Sequence, residues 1–454
     1  MRTRLLWLVP AIILFATVIT VGVAGVAEMA LRASGALLSK GAAVDALLFQ
    51  YAPYVMSKLP SNLSLGDCGH ELEKLGRVLC KDSARPFDGP SFRTNSLGFR
   101  SPEFPPEGSK SPEEIRIAIT GGSAALSWGV LEPDSLDVLL QKRLAELFPS
   151  RKVTVYNLAN PAWKSTQEML AVHLHAPRIQ PDVVIHFSGF NDIFHSFFMP
   201  PGTAYNDGML QSAFNRHTAF VRGGLSDWLQ QYRIGGWVAS LFAAKPVVLS
   251  KPDAAPVDAF PQQAAGTGPG RMATRLSLPL DVENVAARTD FSPYAQSAIN
   301  LYLRNERLLA TTVTMNGGQL LSVLQPTLYL KKPFGVTRFP NGVEVNELQT
   351  LTENYSHTVN YTVYGYHHLG KELARMAASQ PGMTFLDTSA AFDGVEEGVF
   401  GDNVHLNERG YQLLAARLAP TLADLLATKS PPRPVIAQTA NGSAKATYTA
   451  RRPK

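Results

Sequence analysis

The chain has 454 residues, of which 45% are hydrophobic and 17% charged, an ordinary globular composition that excludes a collagen-like, coiled-coil or wholly disordered protein. Its formal charge is +5, but Lys429, Arg433, Lys445, Arg451, Arg452 and Lys454 lie in a terminal stretch without an acid, and removing those six charges leaves residues 1–428 at −1. A body so charged gives no electrostatic support to nucleic-acid binding, so no nucleic-acid partner is expected.

From the N-terminus, Arg2 and Arg4 precede 23 residues without a charge, Leu5 to Ala27, before Glu28 and Arg32. A cleavable signal carries an apolar run of ~7 to 15 residues, whereas a spanning helix needs roughly 20. Residues 1–34 are therefore expected to be an N-terminal transmembrane helix, an uncleaved signal-anchor, with Gly25-Val26-Ala27 as the alternative cleavage site. Arg2 and Arg4 would stay cytoplasmic and send the rest of the chain to the periplasmic or extracellular side of the cell membrane in a single pass. Cys68 and Cys80 are the only cysteines. In an oxidising compartment they are a disulfide candidate, with two unpaired buried thiols as the alternative. His70 is the only imidazole near them and no second ligand pair follows, so no zinc site is expected.

Residues 35–114 read as a membrane-proximal connector packed against the core, with several prolines and the run Asn95-Ser96-Leu97-Gly98-Phe99-Arg100. Five nearly continuous apolar runs then alternate with helical patterns: Ile115–Thr120, Val153–Leu158, Val183–Phe187, Gln319–Leu324 and Met383–Leu386. Unbroken apolar strands belong to parallel sheets covered on both faces, so the spacing predicts an α/β fold, a doubly wound parallel sheet of about five strands. Ser165-Thr166-Gln167-Glu168 is a capping-box pattern. Ser135 or Asp134 is placed to cap the helix carrying Leu136, Leu139, Leu140 and Leu144, and Asn407 opens a last helix to about Ala427. Between strands three and four, about 199–290, lies a long insertion rich in proline and glycine in its later half. Its segment Ser226 to Phe242 reads as an amphipathic helix that packs on its own core, forms a lid or touches a membrane. The basic tail 429–454 is expected to be disordered, leaving 115–428 as the main domain.

Three strand ends carry chemistry. The first run closes on Gly121-Gly122-Ser123, a serine at the carboxyl end of a strand, where open α/β sheets place their sites. A full G-x-S-x-G elbow is absent from the chain, which disfavours an α/β-hydrolase. The third run closes on Gly189-Phe190-Asn191-Asp192, where the asparagine amide offers a donor to a developing oxyanion or simply makes a turn. After the fifth run comes Asp402-Asn403-Val404-His405, a carboxylate spaced to orient an imidazole that takes a serine proton. The D-x-x-H pattern recurs at Asp67/His70 and Asp192/His195, so order and context must choose among the three. The other histidines, including His173/His175 and His367/His368, form no metal-binding array.

In this order and at these positions, the pieces resemble the SGNH hydrolase (GDSL-like lipase/esterase) family, in its membrane-anchored bacterial form, over roughly residues 115–427. The resemblance implies a flavodoxin-like sheet and a cofactor-free serine esterase: Ser123 as nucleophile, in G-G-S rather than the family's G-D-S, with Asp402 and His405 as its base. It implies an oxyanion hole of the Ser123 and Ala162 N–H groups with the Asn191 amide, supported by Gly121, Gly122, Gly189 and Asp192. Ala162 stands where the family usually has glycine, in the block Tyr156-Asn157-Leu158-Ala159-Asn160-Pro161-Ala162-Trp163. The expected substrate is an O-acyl ester, O-acetyl above all, on envelope or exported polysaccharide. A polysaccharide O-acetyltransferase with the same residues, a lipid esterase and a non-catalytic polysaccharide-binding scaffold are the alternatives.

Overall fold

A computed structural model describes Gly22 and residues 50–65, 92–197, 282–332 and 343–428, with side chains in the last segment from residue 358. The expected anchor apart from Gly22, Cys68 and Cys80, the Asp67/His70 pair, the Ser226–Phe242 segment and the tail lie outside the described residues. Among those described, no helix is long and apolar enough to cross a membrane.

The connector contributes four short strands. β1 (Gln50–Ala52) pairs antiparallel with β2 (Met56–Lys58), and β3 (Ser64–Leu65) with β4 (Phe92–Arg93). The central sheet follows as β5 (Glu114–Gly121), β6 (Lys152–Asn157), β7 (Val183–Ser188), β8 (Gln319–Leu324) and β9 (Met383–Asp387). All its pairings are parallel, in the order β6-β5-β7-β8-β9. The order reverses at β5, so β5 and β7 meet at the switch point of a doubly wound sheet, where a crevice opens beyond the strands' carboxyl ends. Every residue of β5 and β7 is buried, as their unbroken apolar runs require.

Seven helices flank or extend this sheet among the described residues: α1 (Leu136–Leu147), α2 (Ser165–Ile179), α3 (Phe190–Ser196), α4 (Val282–Ala286), α5 (Ser292–Met315), α6 (Val343–Ser379) and α7 (Glu408–Thr428). α1 packs on α7, and α2 on α5, forming the two helical layers. The short α4 falls within the expected 199–290 insertion. On α5 the residues Ala295, Ala298, Ile299, Tyr302, Asn305, Glu306, Leu309, Ala310 and Val313 form one buried stripe at helical spacing. A fully buried Leu or Ile in such a stripe stabilises the fold by about 1.5–3 kcal/mol.

Helix starts correct the sequence reading in two places. The serine-to-glutamate capping box at the head of α2 does not form. Lys164 is the N-cap residue, its N–H donates to Gln167 Oε1 at 3.2 Å, and Glu168 is turned inward and fully buried. At α1, Ser135 occupies the N-cap position but its hydroxyl donates to Glu132 O, while Ser127 Oγ accepts the Leu136 N–H at 2.8 Å. Asn407 does cap α7, its Oδ1 accepting the Gly410 N–H at 2.9 Å.

Candidate active site

Gly121 ends β5 and the chain turns within two residues, which requires an extremely close approach. A Cβ on Gly121 would meet Phe187 O at 2.3 Å, and one on Gly122 would meet Asn191 Nδ2 at 2.5 Å. The missing side chains thus let the end of β7 lie against the turn that presents Ser123. Arg100, buried in the connector, donates to Leu126 O at 3.2 Å, Ser127 O at 2.8 Å and Val130 O at 3.0 Å, fixing the loop that leaves the serine.

At the end of β7, Gly189 takes a φ of +116°, a conformation that favours glycine, and α3 begins at once with Phe190 and Asn191. Asn191 Nδ2 donates one hydrogen to Trp163 O at 2.8 Å, leaving a second N–H on the amide. Asp192 is buried and accepts from both Ser165 N at 2.9 Å and Ser165 Oγ at 2.6 Å, so it holds the start of α2 against α3. Its partner in the D-x-x-H pattern, His195, lies one helical turn on, and the Asp192 carboxylate is spent on Ser165.

The loop before α7 is closed by the Phe400–Leu406 bridge and by Gly401 N donating to His405 O at 2.8 Å. It is tied to the segment after β8 through Leu328 N and Thr327 Oγ1, both donating to Asn403 O at 3.0 Å. These contacts deliver the imidazole to the serine. His405 Nε2 lies 2.7 Å from Ser123 Oγ, and His405 Nδ1 lies 2.6 Å from Asp402 Oδ2. A carboxylate only accepts, so Nδ1 carries the proton and Nε2 of the neutral ring accepts the Ser123 hydroxyl. Asp402 Oδ1 is engaged as well, by the Val404 and His405 N–H groups at 2.9 and 2.8 Å. Burial tends to raise the Asp402 pKa, but the His405 charge and these hydrogen bonds outweigh it and hold the carboxyl near 2.

The structure therefore brings Ser123, His405 and Asp402 into one line of contacts, with Asn191 Nδ2 against Gly122 and bonded to Trp163 O, one residue after Ala162. Ser123, Ala162, Asn191 and His405 are each partly exposed between two neighbours in sequence that are buried. Ala162 has a φ of +59°, the left-handed conformation that favours glycine, so the alanine keeps a glycine backbone. Among the described residues the Ser123 and Ala162 N–H groups have no protein acceptor.

A second imidazole cluster escaped the sequence reading. His186 on β7 is fully buried, with Nε2 2.8 Å from Glu168 Oε2 on α2 and Nδ1 hydrogen-bonded to Glu306 Oε2 on α5. Tyr302 stacks on its ring at 5.4 Å. Burial works against the imidazolium, yet the Glu306 and Glu168 carboxylates raise the His186 pKa to about 10, while burial pushes Glu168 up to about 7. The available signal was His186 inside an apolar strand run and Glu306 in the buried stripe of α5, whereas Glu168 fitted a capping box.

No family model matches the chain, and no curated protein matches it either. Among solved structures, an acetyl xylan esterase is 12% identical over 68% of this chain and 100% of its own, with a TM-score of 0.29. The lipase/acylhydrolase from Enterococcus faecalis is 12% identical over 70% of this chain and 99% of its own, at 0.31. A catalytic mutant of an acetylxylan esterase from Geobacillus stearothermophilus is 12% identical over 70% and 95%, at 0.30. Likenesses of this size assign no function by themselves.

Proposed function

We propose that the chain is a serine carboxylic-ester hydrolase of the SGNH type working by two-step acyl transfer. The observation that carries this reading is the single line of contacts Ser123 Oγ, His405 and Asp402, at 2.7 and 2.6 Å. A hydroxyl at neutral pH is a weak nucleophile, and an imidazole already accepting its hydrogen bond removes the proton as the oxygen attacks. Asp402, ionised at any pH well above 2, steadies the imidazolium that results. The oxyanion is assigned to the Ser123 and Ala162 N–H groups and to the second N–H of Asn191. His405 then returns the proton to the leaving alcohol. Water, deprotonated by the same imidazole, cleaves the acyl-enzyme and restores the Ser123 hydroxyl.

The substrate we assign is an O-acyl ester, O-acetyl above all, on envelope or exported polysaccharide. The support is the uncharged run Leu5–Ala27, which as a signal-anchor would hold the domain outside the cytoplasm. Protease added to right-side-out membrane vesicles would then digest residues beyond 34; protection there, with digestion in inverted vesicles, would overturn the topology.

The function is tested with the full chain on p-nitrophenyl acetate, p-nitrophenyl octanoate and acetylated xylan beside a Ser123→Ala control. Release of acetate from polymer that vanishes in the control is the expected result. Preference for octanoate would make the chain a lipid esterase. Inertness of a folded wild type toward all three, and toward acetyl transfer to an added sugar, would sink the enzyme reading.

A further inference from the structure

We infer that the connector segment Ser57–Leu59 belongs to the oxyanion apparatus, with Trp163 and Asn160 as positioning residues that transmit its hold to Ala162 and Asn191. The inference rests on the hydrolase reading above and deepens it.

Trp163 is fully buried, and both its polar ends are used: its indole Nε1–H donates to Ser57 O at 2.7 Å, and its carbonyl accepts from Asn191 Nδ2 at 2.8 Å. A carbonyl in the connector is therefore linked, through one rigid residue, to the amide assigned to the oxyanion. Three residues earlier Asn160, also fully buried, makes the matching contact. Its Oδ1 accepts the Leu59 N–H at 2.8 Å, and its backbone N–H donates to Gly121 O at 3.2 Å, at the end of the nucleophile strand. Asn160 and Trp163 bracket Ala162, so both ends of the loop holding that strained residue are tied to one connector segment.

That segment is itself built to be stiff. β2 pairs with β1, Thr94 Oγ1 donates to Pro60 O at 2.6 Å, Asn62 N donates to Asn95 O at 2.9 Å, and Lys58 Nζ donates to Leu97 O at 3.0 Å. A Cβ at Gly98 would meet Leu59 O at 2.3 Å, so the run Asn95–Arg100 lies directly on it. The Phe99 ring meets Trp163 edge-on at 6.1 Å. The run singled out in the sequence is thus the backing of this segment. None of these contacts touches Asp402 or His405, so loosening them should disturb the oxyanion donors and spare the base.

The test measures kcat and KM for p-nitrophenyl acetate with the full chain as wild type, Trp163→Phe, Asn191→Ala and the double variant. Losing one oxyanion donor costs about 10²- to 10³-fold in kcat, and misplacing one by about an ångström costs up to 10²-fold. We expect Trp163→Phe, which keeps a ring and loses the N–H, to lower kcat about 10- to 100-fold with KM within about threefold and the acid limb of the pH profile unmoved. The double variant should lose clearly less than the product of the two single losses, because the path to Asn191 is shared and only the path to Ala162 is left to lose. Multiplying effects, or an unchanged kcat in Trp163→Phe, would overturn the inference while leaving an active, Ser123-dependent enzyme. Should Trp163→Phe fail to fold, Asn160→Ala is measured instead, and an unchanged kcat there would overturn the inference. A wild type inert toward esters would instead overturn the hydrolase reading and this inference with it.

Discussion

Among the described residues His405 and His186 are both bonded to carboxylates, and they are built to opposite ends. His405 is partly exposed, has one carboxylate, Asp402, and turns its second nitrogen to the Ser123 hydroxyl. His186 is sealed between α2, α5 and β7, and both of its nitrogens face carboxylates, Glu168 and Glu306. The first ring keeps a lone pair, which in the proposed mechanism takes the serine proton. The second donates on both sides, holds its charge up to a pKa of about 10, and has none to offer. On the proposed reading, what separates a base from a structural cation is the chemical identity of the second partner and the access of solvent to it, not the presence of a carboxylate beside an imidazole.

Breaking each ring in turn should separate these roles. The largest effect is expected at the exposed one: Ser123→Ala or His405→Gln should cost about 10⁴-fold or more in kcat toward p-nitrophenyl acetate, with thermal melting hardly moved. His186→Gln should do the reverse. Removing the cation strands two buried carboxylates, and breaking a buried pair costs about 3–5 kcal/mol, read as a lower denaturant midpoint, while the molecules still folded hydrolyse ester at a rate within a few-fold of wild type. Equal loss of activity in His186→Gln and His405→Gln, measured well below both melting points, would erase the distinction.

Acidity sharpens the same contrast. The His186 pKa is raised in the folded chain, so its contribution to stability is fully present below the ordinary histidine value near 6.5 and is lost as pH climbs through about 10. Glu168, also raised, works in the same direction from near its ordinary value up to about 7. The Asp402 pKa is lowered, so its contribution is present above the usual aspartate value and is lost as pH falls through about 2. Melting temperature should accordingly decline from pH 7 to 10 in wild type, and the decline should be visibly shallower in His186→Gln. A parallel decline in both proteins would mean that His186 carries no extra proton when folded.

The sheet and the exposed cluster were legible for the same reason: both are written in short segments. Strands buried on two faces appear as unbroken apolar runs, and Ser123, Asn191 and His405 each stand at the end of one or just before a helix start. The buried cluster was not legible because its members are 18 and 120 residues apart and its distinguishing property is burial. Glu168 sat three places after Ser165 and fitted a capping box, a pattern that uses the same residue types on the outside of a helix. The contact of Ser57 with Trp163, 106 residues apart, leaves no local signal at all. Non-local polar contacts of this kind need the fold before they can be seen.

Ala162 gives the smallest effect and the finest probe of the exposed site. An L-residue in the left-handed region costs roughly 1–2 kcal/mol, against which a glycine would lose about 0.4–1 kcal/mol through the freedom it gains when unfolded. Ala162→Gly is therefore expected to raise stability by about 0–1.6 kcal/mol, seen as a small rise in denaturant midpoint. The backbone N–H survives the change, so kcat should stay within about threefold. A drop of 10-fold or more would mean that the methyl group, and not only the loop's backbone, sets where Ala162 meets the oxyanion. Destabilisation would mean that the φ of +59° is held without strain by the Asn160 and Trp163 contacts on either side.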